Sequence, residues 1–299
     1  MTWPVADPVV AVLSAGSMGA AIGGVLRRDG GLHVVTALDG RSTSTRRRAA
    51  VAGLEDRGRI DAVVAEADIV LSIVHPSAAH AIVTQVADAM DELHRRVVLV
   101  ECNAIAPREA VVLAERIRSA GGMFVDAAIQ SPPPQGPGAL LYVAGPDVGY
   151  VEVLGTKGLD VRILDGPVGQ ASAADLVLGG MVKVIEAAAV EVLLVARQWG
   201  LEDLVAERVP RLVAAVEPYA SLMPSRARRW ADELRSTGEA VHELGLPGTV
   251  FVGAADLLDL VASTSTATRP GPPGATHREV LDEIGRELEV AGRLVARSN

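Results

Sequence analysis

Residues 13–24 read LSAGSMGAAIGG, one glycine short of the G-x-G-x-x-G loop that joins the first strand and helix of a dinucleotide-binding unit. In such a loop the first glycine makes a tight turn, the second admits the pyrophosphate and the third lets the helix pack against the strand. The corresponding residues here are Ser14, Gly16 and Gly19. Because a short serine side chain can bond the backbone of its own turn, the stretch still predicts a cofactor loop.

The surroundings of this loop favour cofactor binding over the simple close packing of small residues. An apolar run at 8–15 precedes the loop, a helical pattern follows it, and a second apolar run occupies 32–38. The glycine pattern is informative in this strand, loop, helix and strand order. The loop residues predicted to contact the cofactor are Ser14, Gly16, Ser17, Met18 and Gly19.

The segment ALDGRSTSTRRRAA (37–50) bears on which cofactor is bound. Asp39 follows Gly19 at the spacing, about 20 residues, at which an acid bonds the ribose 2′-hydroxyl of NAD. The arginine and hydroxyl side chains after it instead fit the 2′-phosphate of NADP. We therefore expect NADP(H), with NAD(H) as the less favoured alternative. The residues predicted to hold the phosphate are Arg41, Ser42, Thr43 and Arg46.

Composition limits the classes of partner. The chain has 299 residues, of which 49% are hydrophobic and 3% aromatic, and its formal net charge is −9. The acidic balance and the scarcity of aromatic side chains argue against a nucleic-acid partner. Cys102 is the only cysteine, which excludes an internal disulfide, and its apolar neighbours predict a buried thiol. The Cys, His and carboxylate residues of the sequence are not spaced as the ligands of a metal site are.

The N-terminus has no signal-peptide pattern, and no uninterrupted apolar run reaches the length of about 18 residues that a membrane span needs. We therefore expect a cytoplasmic protein that acts on a small molecule and has no membrane partner.

Short β-branched apolar runs alternate with helical patterns in the first part of the chain. These runs lie at 8–15, 32–38, 67–74, 96–102, 123–129, 139–145 and 161–166. Such alternation predicts an α/β fold with a Rossmann-type, doubly wound parallel sheet. After it the pattern becomes helical, at 171–200, 201–208, 210–217, 225–244, 250–262 and 277–296, with a loop at 263–277. We expect a nucleotide-binding domain at 1–166 and an all-helical domain at 167–299.

Five motifs occur in a familiar order: GSMG (16–19), VLSIVHPSAA (70–79), VECNAIAPREA (100–110), FVDAAIQSPPPQGPGALLYVAGP (124–146) and VGQASAADLVLGGMVKV (168–184). Together they resemble the β-hydroxyacid dehydrogenase superfamily, which includes 6-phosphogluconate dehydrogenase-like proteins, 3-hydroxyisobutyrate dehydrogenases and imine reductases. The resemblance implies a Rossmann domain joined by a long helix to a helical domain, an active site in the cleft between them, and a homodimer.

The resemblance also assigns roles to residues that follow two of the strands. Asn103 matches the polar residue that faces the nicotinamide and the substrate, and it is therefore a candidate catalytic residue. Val74, His75 and Pro76 match the loop beside the cofactor.

The substrate-binding motif of the superfamily, DAPVSGG, corresponds to DAAIQSP at 126–132. Gln130 replaces the serine of the motif, and Ser131 and Pro132 replace its glycine pair. These three residues, together with Gly179 of the long helix, are the predicted substrate contacts. The departure from the acid-binding pattern argues against a simple hydroxy acid as substrate.

Another departure falls on the long helix. Alignment of GQASAAD (169–175) places Asp175 where hydroxyacid dehydrogenases have a catalytic lysine, and Gly179 where a helper asparagine is usual. Imine reductases resemble this arrangement, and a buried carboxyl with a raised pKa is able to supply the proton. A shifted alignment makes Lys183 the catalytic lysine instead.

The function expected from these observations is NADP(H)-dependent delivery of hydride to a C=N or C=O carbon, as in imine reductases. Two alternatives remain open on the sequence. One is a β-hydroxyacid dehydrogenase that uses Lys183. The other is a non-catalytic NADP-binding interaction or sensor protein, for which Ser14, Asp175 and the missing glycine pair are the motivating departures.

Overall fold

The computed structural model describes residues 6–217, 219, 222–268 and 275–293. The chain forms two compact units, a first unit of residues 1–176 and a second unit of residues 177–299. The roles predicted for domains 1–166 and 167–299 remain predictions.

The first unit contains an eight-stranded sheet in the order β3-β2-β1-β4-β5-β6-β7-β8. The strands are β1 Val10–Leu13, β2 Val34–Thr36, β3 Glu55–Asp56, β4 Ile69–Ser72, β5 Val98–Glu101, β6 Met123–Ile129, β7 Ala139–Ala144 and β8 Leu159–Ile163. All neighbouring strands pair in parallel except β6 and β7, which are antiparallel. The order reverses next to β1, as in doubly wound folds, and the predicted fold class is confirmed.

Helices link these strands. They are α1 Ser17–Arg28, α2 Thr43–Ala52, α3 Ile60–Glu66, α4 Ala79–Leu93, α5 Pro107–Ser119 and α6 Val153–Thr156, with short 3₁₀ turns at Pro76–Ala78 and Val148–Tyr150. Local sequence sets their ends. Ser42 caps the start of α2, Gly53 ends it with a φ of 76°, and Pro107 supplies the first residue of α5.

The sheet is covered on both faces, which explains why its strands are almost continuously apolar. In β1, Val10 and Val12 belong to the apolar cluster on one side, and Ala11 and Leu13 belong to the cluster on the other. Because the parallel strands β1, β2, β4, β5 and β6 all run in the same direction, their carboxyl ends lie along one edge. Ligands of doubly wound sheets bind at that edge.

The long helix α7, Gln170–Trp199, starts in the first unit and continues into the second. The other helices of the second unit are α8 Glu202–Arg208, α9 Pro210–Val216, α10 Met223–Glu243, α11 Thr249–Ala262 and α12 His277–Val290, with a 3₁₀ turn at Ser265–Thr268. Trp230 and Leu234 of α10 are buried in its core. The Arg197 guanidinium of α7 forms ion pairs with Asp282 and Glu289 of α12, each at 2.8 Å.

Several short elements were missed from the sequence, among them α6, β3 and the turn at Ser265–Thr268. β3 has only two residues, Glu55 and Asp56, both exposed and charged, so it shows no apolar run. The turn at Ser265–Thr268 falls in the segment predicted as a loop, where Glu287 accepts hydrogen bonds from the backbone and side chains of Ser265 and Thr266. The last residues of the helix predicted at 277–296 lie outside the described residues. Among the described helices, none is long and apolar enough to cross a membrane.

Candidate functional site

Ser14 forms the turn that directly follows β1. Its backbone has a φ of 65°, a left-handed conformation that costs a residue with a side chain about 1–2 kcal/mol. Its carbonyl oxygen accepts a hydrogen bond from the N–H of Gly16 at 2.8 Å, which closes the turn. Serine therefore adopts the conformation for which the first glycine is normally used, and the loop keeps its shape.

The two remaining glycines serve different purposes. A Cβ atom at Gly19 would lie 2.5 Å from the carbonyl oxygen of Ser14, so α1 can pack this closely on the loop only with glycine there. A Cβ atom at Gly16 would meet nothing within 4 Å, so the space in front of this residue is open. Gly16 is also the N-cap of α1, whose first N–H groups point at that space. The loop therefore fits a pyrophosphate.

A cavity of about 480 Å³ lies beside this loop. Leu13 and Ser14 line it from the end of β1, and Asp39 and Arg41 line it from the segment after β2. Its size and position suit the adenosine part of a dinucleotide. Asp39, predicted to bind the ribose 2′-hydroxyl of NAD, and Arg41, predicted to bind the 2′-phosphate of NADP, thus line the same cavity.

The other residues predicted to hold a 2′-phosphate have different surroundings. The Ser42 hydroxyl accepts a hydrogen bond from the Thr45 N–H at 3.3 Å, and the Arg46 guanidinium donates one to Asp56 at 3.4 Å. Thr43 lines a different cavity of about 790 Å³ between α1 and α2. Arg41, at the 480 Å³ cavity, is the best placed of the four.

Asn103 follows β5 and is buried. Its side-chain oxygen accepts a hydrogen bond from the N–H of Val74 at 2.7 Å, and its amide group donates to Ser72 at 3.1 Å and to Glu101. The side chain thus ties the end of β5 to the segment after β4. Because its bonds are made inside the protein, Asn103 fixes the Val74 segment rather than presenting a free amide.

The rest of the segment after β4 is more accessible. His75 is exposed, and its Nδ1 atom is 2.9 Å from the hydroxyl of Ser77. Pro76 follows as the first residue of the 3₁₀ turn. Val74, His75 and Pro76 thus follow β4 at the carboxyl edge of the sheet, and their contact with a cofactor remains a prediction.

Gln130 and Asp175, which the sequence placed in separate motifs, are in direct contact. The side-chain amide of Gln130 donates a hydrogen bond to Oδ1 of Asp175 at 2.5 Å. Gln130 follows β6, and its own N–H is held by the carbonyl oxygen of Leu140 at 3.0 Å. Asp175 lies in the second turn of α7, so this bond joins the carboxyl edge of the sheet to the long helix.

Asp126 fixes the start of that helix. Its fully buried carboxylate accepts hydrogen bonds from the N–H groups of Gly169, Ala171 and Ser172 at 2.8–3.0 Å, and from the Ser172 hydroxyl at 2.5 Å. Burial raises the pKa of Asp126, and these donors oppose the rise. Asp126 is thus the anchor that sets the position of Asp175 against Gln130.

The residues that replace the glycine pair of the superfamily motif lie next to this contact in sequence. The Ser131 hydroxyl is buried and has no hydrogen-bond partner within the described residues. Pro132 has no backbone N–H, so it cannot contribute to binding a substrate carboxylate. The roles of Ser131 and Pro132 at a substrate remain predictions.

Lys183 and Gly179 belong to the second unit. The Lys183 ammonium is paired with Glu233 of α10 at 2.9 Å, and both side chains are largely buried. Gly179 follows Asp175 by one helical turn on α7. Glu233 was not identified from the sequence, because nothing in α10 marks it apart from the other charged residues there.

Glu101 is another site residue missed at the sequence level. Its carboxyl is fully buried, and burial raises its pKa to about 7. The sequence contained a signal, since Glu101 is an acid within the otherwise apolar run VVLVEC (97–102). Within the part of the chain that the structure describes, no group of three or more His, Cys, Asp or Glu side chains is placed to hold a metal ion.

Two sequence profiles match the chain. The profile of the NAD binding domain of 6-phosphogluconate dehydrogenase matches residues 9–132, and that of a domain of unknown function, DUF1932, matches residues 197–261. No curated protein is a detectable relative by sequence.

Solved structures share the fold over nearly the whole chain. A conserved hypothetical protein from Sinorhizobium meliloti is 23% identical with a TM-score of 0.65, covering 94% of this chain and 97% of that one. Mycobacterium tuberculosis 3-hydroxyisobutyrate dehydrogenase has 18% identity and a TM-score of 0.62, over 92% and 98%. An imine reductase from Myxococcus stipitatus in complex with NADP⁺ has 17% identity and a TM-score of 0.54, over 94% and 100%.

Proposed function

We propose that this chain, whose residues 9–132 match the NAD binding domain of 6-phosphogluconate dehydrogenase, is an NADP(H)-dependent reductase of C=N or C=O bonds in small molecules. Asp175 supplies or relays the proton to the reacting nitrogen or oxygen. Gln130 orients Asp175 and the reacting group, and Asn103 acts as a positioning residue through Val74.

The hydrogen bond between Gln130 and Asp175 carries this proposal. Each residue is a departure from the hydroxyacid dehydrogenase pattern, since an amide replaces a serine and an acid replaces a lysine. The two departures are complementary, because the new amide donates to the new carboxylate. A pair of matched replacements supports an altered proton donor more than the simple loss of a catalytic lysine.

The chain has the groups needed to hold a dinucleotide. The open space before Gly16 and the first turn of α1 suit the pyrophosphate, and the 480 Å³ cavity suits the adenosine. Arg41 is the residue proposed to bind the 2′-phosphate and so to favour NADP(H). When bound, the cofactor supplies the hydride.

The alternative in which Lys183 acts as a dehydrogenase base has less support. The ammonium of Lys183 is already paired with Glu233, and a base would have to be released from that pair and deprotonated.

The predicted homodimer is part of the proposal. Along α7 in the second unit, six apolar side chains that are 40–73% exposed follow one another at intervals of three, four or seven residues, which puts them on one face of the helix. They are Leu178, Met181, Ile185, Val192, Val195 and Trp199. We call this set the α7 stripe. A continuous apolar stripe of about six turns is typical of a surface that a second copy covers.

The proposed function is tested by replacing the acid. We expect Asp175→Asn and Asp175→Ala to lower kcat with NADPH by about 100-fold or more across a panel of imines and ketones, because a positioned general acid contributes at least this much. NADPH affinity should be unchanged, since neither variant alters the glycine loop. Steady-state kinetics and a binding titration measure the two quantities.

Asp165→Asn is the matched control, since Asp165 is an exposed acid in the same region of the chain. It should behave as the parent. Turnover by Asp175→Ala within a few-fold of the parent would remove Asp175 from the mechanism. Oxidation of hydroxy acids that is lost in Lys183→Ala but kept in Asp175→Ala would support the dehydrogenase alternative.

A further inference from the structure

Glu101 lies at the end of β5 with its side chain completely buried. Its Oε1 atom accepts hydrogen bonds from the backbone N–H of Asn103 at 3.0 Å and from the side-chain amide of the same residue. Its Oε2 atom has no hydrogen-bond partner, and the carboxyl has no ion pair, within the described residues. Burying an acid in this way makes its charged form costly.

The titratable groups around Glu101 are acids and a thiol. The charge of Glu109, in α5, acts on Glu101, and burial together with the charges of Glu101 and Asp126 raises the pKa of the Cys102 thiol. Burial, with a smaller contribution from the charge of Glu109, raises the pKa of Glu101 to about 7, while the hydrogen bonds from Ser72 and Asn103 oppose the rise. The charge of Glu101 therefore changes within the physiological range of pH.

A short series of contacts leads from this carboxyl to the cofactor loop. The carboxyl of Glu101 accepts a hydrogen bond from the side-chain amide of Asn103. The side-chain oxygen of Asn103 in turn accepts one from the N–H of Val74 at 2.7 Å. Val74 begins the segment that the superfamily resemblance places beside the cofactor. By the same resemblance Asn103 faces the nicotinamide, and its contact with Glu101 would place the buried carboxyl at the nicotinamide end of the carboxyl edge.

We propose that Glu101 is a positioning residue that couples the choice between oxidised and reduced cofactor to pH. The inference rests on the proposed function, because it requires NADP(H) at this edge of the sheet. The nicotinamide ring is cationic when oxidised and neutral when reduced. A carboxylate in a poorly solvated position attracts the cation, whereas the neutral acid does not discriminate.

The direction of the effect follows from these charges. As pH rises, Glu101 loses its proton, and the affinity for NADP⁺ rises relative to that for NADPH. By reciprocity, NADP⁺ lowers the pKa of Glu101 and releases a proton when it binds. Lowering the pH through the neutral range therefore shifts the preference of the protein from NADP⁺ toward NADPH.

The test is a titration of the full-length protein with NADP⁺ and with NADPH between pH 6 and pH 8.5. We expect the ratio of the NADPH Kd to the NADP⁺ Kd to rise about fivefold to tenfold over this range, the size of a typical coupling between sites. The 2′-phosphate also titrates near pH 6, but it is common to both forms, so its effect cancels in the ratio.

Two variants identify the group responsible. Glu101→Gln keeps the oxygen that accepts from Asn103 but cannot ionise, so its ratio should be flat and close to the parent value at low pH. Glu109→Gln is the matched control, because it removes the neighbouring acid and leaves Glu101. It should keep the rise, with a midpoint at lower pH, since Glu109 raises the pKa of Glu101.

A flat ratio in the parent, or an unchanged rise in Glu101→Gln, would overturn the inference. Failure of the parent to bind either cofactor at any pH would instead count against the proposed function. Should Glu101→Gln fail to fold, calorimetry of the parent in two buffers of different ionisation enthalpy still decides. Greater proton release with NADP⁺ than with NADPH at pH 7 supports the inference, and equal release contradicts it, because any release from the 2′-phosphate is common to both cofactors.

Discussion

At the scale of single residues, Ser14 shows that a glycine motif is a requirement on backbone shape rather than on residue type. Its φ of 65° is the conformation for which glycine is preferred, and the cost to serine is about 1–2 kcal/mol. Gly19 allows no such replacement, because a Cβ atom there would lie 2.5 Å from the Ser14 carbonyl oxygen. The first position of the motif tolerates serine, and the third is restricted by packing.

Arg41 provides the test of cofactor preference at this scale. We expect Arg41→Ala to weaken NADPH binding about tenfold or more and to leave NADH binding nearly unchanged, because a charge-assisted hydrogen bond to the 2′-phosphate contributes about 1.5–3 kcal/mol. Parallel titrations with the two cofactors measure this. Arg46→Ala, whose guanidinium is held by Asp56, is the control and should have the smaller effect. Equal weakening of both cofactors would mean that Arg41 does not bind the phosphate.

At the scale of elements, a residue of a single strand binds the start of α7. The carboxylate of Asp126, in β6, accepts three backbone N–H groups and one hydroxyl at the start of the helix. These are among the first N–H groups of a helix, which lack partners within the helix itself. β6 therefore places Asp175 as well as Gln130, since both residues are positioned from its carboxyl end.

We expect Asp126→Asn to lower the free energy of unfolding by about 2 kcal/mol or more. The amide has one oxygen acceptor in place of two, and its NH₂ group faces N–H donors in a buried position. Urea denaturation followed by circular dichroism measures the loss. The exposed Asp165→Asn should change stability by less than about 0.5 kcal/mol. A comparable loss in both variants, or none in Asp126→Asn, would contradict the role of Asp126 as an anchor.

At the scale of the whole molecule, the second unit leaves the α7 stripe uncovered. Its apolar core is formed by residues such as Trp230 and Leu234, on α10, and by the opposite side of α7. The stripe is about 30 Å long, at 1.5 Å per residue. An apolar surface of that length on a chain with a net charge of −9 is more consistent with an interface than with contact with water.

We expect the protein to elute as a dimer and the double variant Met181→Glu, Ile185→Glu to elute as a monomer, because each charge would be buried without a partner in the interface. Size-exclusion chromatography with light scattering gives the mass directly. Val51→Glu is the control, since Val51 is 81% exposed and lies in the first unit. A monomeric parent at all concentrations, or a dimeric double variant, would exclude the stripe as the interface.

The amino-acid sequence by itself determined the local pattern of this protein. Each apolar run of the first part became a strand within a few residues of its predicted position, and each helical period of the second part became a helix. These features depend on neighbours in sequence, through side-chain alternation and helical spacing. The exceptions, such as β3 with Glu55 and Asp56, had no apolar signal to read.

Tertiary structure alone decided which side chains meet. Gln130 and Asp175 are 45 positions apart and make contact because β6 and the start of α7 are joined by Asp126. The burial of Glu101 and the pairing of Lys183 with Glu233 also depend on packing between distant segments. Local periodicity fixes which face of an element is apolar, but desolvation, pKa and pairing depend on what the fold brings against that face.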